Sequence, residues 1–148
     1  MLKNLYNNPI VIQRADPFIY KHTDGYYYFT ASVPEFDLIE LRRSKKIEGL
    51  QEAEAAVIWN KHIDGEMSNL IWAPEIHYIR GKWYIYFAAA PNRDVTGITF
   101  NHSMYVLENS NEDPFCGEWM EKGKVDSGWD TFSLDATVFE HNEKLYYV

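Results

Sequence analysis

Aromatic-rich apolar runs alternate with short polar turns along the chain, and one arrangement of them occurs three times. The first copy is Asp16-Pro17-Phe18-Ile19-Tyr20, then His22-Thr23-Asp24-Gly25-Tyr26-Tyr27-Tyr28-Phe29. The second is Ala73-Pro74-Glu75-Ile76-His77, then Ile79-Arg80-Gly81-Lys82-Trp83-Tyr84-Ile85-Tyr86. The third is Asp135-Ala136-Thr137-Val138-Phe139, then His141-Asn142-Glu143-Lys144-Leu145-Tyr146-Tyr147-Val148. The copies align without a gap. Each reads as a strand, a tight turn and a second, Tyr-rich strand, with Asp24-Gly25 and Arg80-Gly81-Lys82 supplying hairpin turn residues.

The first residues of the copies lie 57 and then 62 residues apart, which leaves room for two more strands per unit. Residues 38–44 and 55–59 fit the first interval, and 104–107 and 118–125 the second. Residues 48–56 read equally as a helical turn or a polar loop. Four strands per repeat is the blade of a β-propeller. A β-sandwich explains alternating strands but not the ungapped internal match. The expected fold class is therefore all-β, a propeller with blade 1 at about 14–60, blade 2 at about 70–126 and the start of blade 3 at about 132–148. Val148 aligns with Phe29 and Tyr86, inside the second strand of its copy. Two and a half blades fall short of the roughly 4–8 that close a ring. The chain is expected to be the N-terminal part of a longer propeller, or one piece of an assembly.

Composition narrows the partners. The 14 Lys and Arg face 22 Asp and Glu, a formal charge of −8, which disfavours nucleic acid. No apolar run approaches a membrane span, and the first nine residues show neither an apolar leader core nor a cleavage site. The expectation is a cytoplasmic protein, or a secreted one whose signal has been removed. The lone Cys116 excludes an intrachain disulfide and reads as inert. The five histidines show no metal-ligand spacing; His22 and His141, beside hairpin turns, read as solvated. The basic run 42–46 reads as a solvated strand edge, and residues 111–114 as turn composition only.

The innermost strand of a propeller blade lines the central channel, so the first residue of each repeat is the informative one. Asp16 and Asp135 share that position, and Ala73 fills it in blade 2. Taken singly, Asp16 reads as a turn residue before Pro17 and Asp135 as a loop residue. Taken together, they place two carboxyl groups on one pocket, as glycoside hydrolysis requires of its acid and base.

Ala15-Asp16-Pro17-Phe18-Ile19, Trp72-Ala73-Pro74-Glu75 and Leu134-Asp135-Ala136-Thr137-Val138-Phe139 resemble three successive signatures of glycoside hydrolase family 43. The resemblance implies a five-bladed propeller acting on terminal α-L-arabinofuranosyl or β-D-xylosyl residues of oligosaccharides or polysaccharides, with inversion. It implies that Asp16 is the general base and that Asp135 orients the general acid and raises its pKa. The acid itself is a glutamate of the fourth blade, so no residue here takes that role, and the 148-residue chain alone is expected to be inactive. Trp72 matches a position near the sugar pocket, where it either stacks on a pentose or packs between blades. Phe18 and Glu75, each two residues beyond a repeat's first position, are expected on the pocket wall. No cofactor is implied; some family members hold an axial calcium through a histidine of a later blade, outside this chain. A propeller that binds pentosans without cleaving them is the alternative function.

Overall fold

The structure, a computed structural model, describes residues 8–91, 101–129 and 131–148. The stretch read for a leader lies mostly outside them. Among the described residues, ten strands form three antiparallel sheets. The first contains β1 (Ala15–Lys21), β2 (Tyr27–Ser32), β3 (Leu38–Ser44) and β4 (Ala56–Asn60), hydrogen-bonded in chain order. The second contains β5 (Asn69–Ile79), β6 (Lys82–Ala90), β7 (Ser103–Asn109) and β8 (Met120–Lys124), again in chain order. β9 (Val138–His141) and β10 (Lys144–Tyr147) form a third hairpin. Two four-stranded meanders and the opening hairpin of a third make the chain a partial β-propeller. The open choice at 48–56 resolves as a single 3-10 turn, Ile47–Leu50, whose Leu50 is fully buried.

The hairpins form where local chemistry permits the backbone to reverse. Between β5 and β6, Arg80 (φ 50°) and Gly81 (φ 87°) are both left-handed, the geometry that matches strand twist in a two-residue turn. Between β9 and β10, Asn142 (φ 49°) and Glu143 (φ 61°) repeat it. At the β1–β2 turn, Asp24 accepts hydrogen bonds from the Tyr26 N–H (2.8 Å) and the Tyr28 hydroxyl (2.6 Å), so one carboxylate staples turn to strand.

Blades are held by apolar faces pressed together. Along β6, Trp83, Ile85, Phe87 and Ala89 join the core shared with Tyr28, Ile39 and Leu41 of blade 1. The alternate residues Tyr86 and Ala88 turn towards the third hairpin, with Met104 and Ala136. β6 is thus buried on both sides, which is why it reads as a continuous apolar run rather than an alternating one. The small residues Ala31 and Ala88–Ala90 are buried in these seams.

Several polar residues turn out to be structural. His22 is only partly exposed: its ring is 4.5 Å from that of Tyr78 and 4.7 Å from that of Trp83. The β1–β2 turn folds against blade 2, and the imidazole fills the gap. Nor is the basic run a free strand edge. Arg43 donates to Asp113 of blade 2 at 2.8 Å, and Arg42 donates to Glu40 at 3.1 Å. The turn at 111–114 is a latch: Glu112 and Pro114 carbonyls accept from the indoles of Trp83 and Trp119, at 3.1 Å each. His141 is exposed, as expected, and so is Cys116.

Glu40 is gripped from two directions. Arg14 reaches it with two parallel hydrogen bonds of 2.9 and 2.8 Å, and Arg42 adds the third. Burial pushes the Glu40 carboxyl up, but the hydrogen bonds from Arg14 and Arg42 outweigh it and hold the group below the usual carboxylate range. A carboxylate depressed in the folded state stabilises it above its unfolded pKa and loses that contribution as pH falls through its folded value. The gap in melting temperature between wild type and Glu40→Gln should therefore narrow as pH drops below about 4.3. A gap that stays constant down to pH 3 would mean that this carboxylate contributes nothing through its charge.

Candidate active site

The three repeat-leading residues share a backbone feature that side-chain patterns do not display. Asp16 (φ 48°), Ala73 (φ 45°) and Asp135 (φ 57°) are all left-handed. In blade 1 the pairing of β1 with β2 jumps from Ala15↔Ser32 to Phe18↔Thr30, so Asp16 and Pro17 oppose one residue. In blade 2 it jumps from Trp72↔Ala88 to Glu75↔Tyr86, so Ala73 and Pro74 do the same. These are β-bulges, which re-aim a side chain and tolerate proline because no ladder N–H is needed there. Aspartate bears left-handed φ more readily than most residues. The bulge also breaks the alternation by which Phe18 and Glu75 were expected to share a face with the bulged residue.

The residues nonetheless gather in one region. The Asp135 carboxyl is pushed above its usual range, first by partial burial, then by the negative charges of Asp16 and Glu75, with His102 opposing. Asp16 and Glu75 are therefore close enough to Asp135 to repel it. Glu75 Oε2 lies 3.2 Å from His77 Nε2, and the His77 ring is 5.0 Å from that of Phe18. Phe18 thus packs at the blade 1–blade 2 seam beside the carboxylates.

Trp72 stacks on His102 with centroids 4.0 Å apart and planes 19° apart, and meets Phe36 edge-on at 6.0 Å. One indole face is thereby occupied by protein. His102 is buried, which pushes its pKa down, and its Nε2 lies 3.2 Å from the Leu70 carbonyl. With Nε2–H donating there, the neutral imidazole makes a flat, uncharged support for the indole.

Ser32, His77 and His102 were not singled out from the sequence. Ser32 carried a signal: where blade 1 has Asp16 and Ser32, the aligned positions of blade 2 are Ala73 and Ala89. His102 carried none, because its neighbourhood to Trp72 arises only from the pairing of β6 with β7. No group of three or more His, Cys, Asp or Glu suited to a metal ion occurs among the described residues.

The sequence profile described as "Glycosyl hydrolases family 43" matches residues 6–148. The chain belongs to this family. As a member, it is 57% identical over 141 residues to the extracellular exo-alpha-(1->5)-L-arabinofuranosidase of Streptomyces chartreusis, covering 95% of this chain and 42% of that one. It is 50% identical over 143 residues to alpha-L-arabinofuranosidase 43 of Humicola insolens, covering 97% and 29%. Among solved structures, an alpha-L-arabinofuranosidase from Lactobacillus brevis superposes with a TM-score of 0.88 at 58% identity, over 96% of this chain and 45% of that one. The family-43 chain thus spans less than half the length of these relatives. No helix among the described residues is long and apolar enough to cross a membrane.

Proposed function

We propose that the complete protein containing this chain is an exo-acting α-L-arabinofuranosidase that removes terminal arabinofuranosyl residues from α-(1→5)-linked arabino-oligosaccharides. The observation that carries this is the identity of 57% with an exo-acting arabinofuranosidase across 95% of the chain. It favours arabinose over xylose. Two of the relatives carry the word extracellular in their names, which supports a secreted protein over the cytoplasmic one expected from the N-terminus.

In this reading Asp16 is the general base. Its carboxylate takes a proton from water as the water oxygen bonds to the anomeric carbon. The bond from that carbon to the leaving oxygen breaks, and an acid outside this chain protonates that oxygen. The sugar leaves with inverted configuration. Asp135 supplies negative charge beside the acid, orienting it and holding its proton until the transition state. Glu75 adds charge to the same wall, Phe18 bounds it, and Trp72 offers the indole face not covered by His102 to the furanose ring. The 148-residue chain by itself lacks the acid and is inactive.

The test is hydrolysis of 4-nitrophenyl α-L-arabinofuranoside and 4-nitrophenyl β-D-xylopyranoside by the complete protein, with NMR of the first-formed anomer. Rapid cleavage of the arabinoside with inversion is expected. Preference for the xyloside, or initial release of the retained anomer, refutes the reading.

A further inference from the structure

Among the described residues, Ser32 joins the first residues of two blades through its side chain. It ends β2, opposite Ala15, and only 2% of its surface is exposed. Its Oγ accepts a hydrogen bond from the Ala73 N–H at 2.8 Å and lies 3.2 Å from Asp16 Oδ2. The direction of this relay is fixed by the groups at its ends. A backbone N–H only donates, so it takes a lone pair of the hydroxyl; an ionised carboxylate only accepts. The single hydroxyl proton must therefore point at Asp16.

We propose that Ser32 is the positioning residue of Asp16: it engages Oδ2, orients the carboxylate on its left-handed backbone, and leaves Oδ1 for the attacking water. This rests on the reading of Asp16 as the general base. Three observations support it. Asp16 Oδ1 makes no hydrogen bond among the described residues, while Oδ2 has its partner within the protein. The serine appears in the blade that carries the aspartate, whereas in blade 2 the residue opposite Trp72, as Ser32 is opposite Ala15, is Ala88. The hydroxyl is itself held from the far side, because Ala73 belongs to a bulge anchored by Thr30, whose Oγ1 donates to the Pro74 carbonyl at 2.5 Å. Blade 2 thus contributes to the geometry of a base that sits in blade 1. The charge-assisted hydrogen bond to Asp16 also offsets part of the repulsion between Asp16 and Asp135.

The complete protein carrying Ser32→Ala, with Asp16→Asn beside it, is to be assayed for kcat and KM on 4-nitrophenyl α-L-arabinofuranoside across pH, together with its melting temperature. A tenfold to hundredfold fall in kcat is expected for Ser32→Ala, with KM within about twofold. A rate within about twofold of wild type, or a loss that falls on KM rather than on kcat, overturns the proposal and leaves Ser32 a packing residue. If Ser32→Ala does not fold, Ser32→Cys fills the site with a slightly larger group that is a much weaker donor, and the same criteria apply to it. An inactive Asp16→Asn beside a fully active Ser32→Ala removes only the role of Ser32. A fully active Asp16→Asn removes the general base and the positioning role with it.

Discussion

Asp16→Asn in the complete protein is expected to lower kcat/KM on an α-L-arabinofuranoside by about 10²–10⁴-fold, the usual worth of a general base. The substitution is close to isosteric. Asparagine tolerates the left-handed backbone that Asp16 adopts, so the bulge survives. What disappears is the capacity to take a proton from water. The Asn amide can still accept from Ser32, so the hydrogen bond across the blades need not break. Activity loss without loss of fold is therefore the expected combination, measured by initial rates and by thermal melting of the same preparation. A variant that retains a tenth or more of the rate would assign the base elsewhere.

Trp83→Ala is expected to have the largest effect on stability, about 3–5 kcal/mol. Trp83 is fully buried on β6. Its ring lies 4.7 Å from Tyr28 and His22 and 4.9 Å from Tyr78, and its indole N–H donates to the Glu112 carbonyl at 3.1 Å. Removing it opens a void at the seam between the first two blades and orphans a carbonyl of the latch. Trp129, 75% exposed, is the internal comparison: Trp129→Ala should change stability by no more than about 0.5 kcal/mol. Urea unfolding of both variants separates the two cases, and similar midpoints would contradict the assignment of Trp83 as the hub of the seam.

The sheet order was legible because it is written three times. Aromatic hairpin strands and their turn residues recur at a spacing that admits two more strands, and the meanders β1–β4 and β5–β8 follow that spacing. The register of Asp16 with Asp135 was legible for the same reason. The bulges were not. A left-handed φ at Ala73 leaves no trace in hydrophobicity, since alanine is common in ordinary strands. His22 reads as fully solvated because a residue beside a turn is usually wet, and only the packing of that turn on Tyr78 and Trp83 covers part of it. Arg43 was misread because charge runs are judged by neighbours in sequence, whereas its partner Asp113 lies in the next blade.

The left-handed residue that opens each of the three copies makes that position an interchangeable socket, set in a β-bulge in the first two. Its φ is left-handed whether the occupant is an aspartate or an alanine, as Asp16, Ala73 and Asp135 show. Such sockets separate two problems that most enzyme scaffolds must solve together. The backbone supplies aim, and chemistry is set by which sockets are filled. Charge can then be gained or lost at one copy without rebuilding its neighbours, so a new arrangement of carboxylates lies a single substitution away.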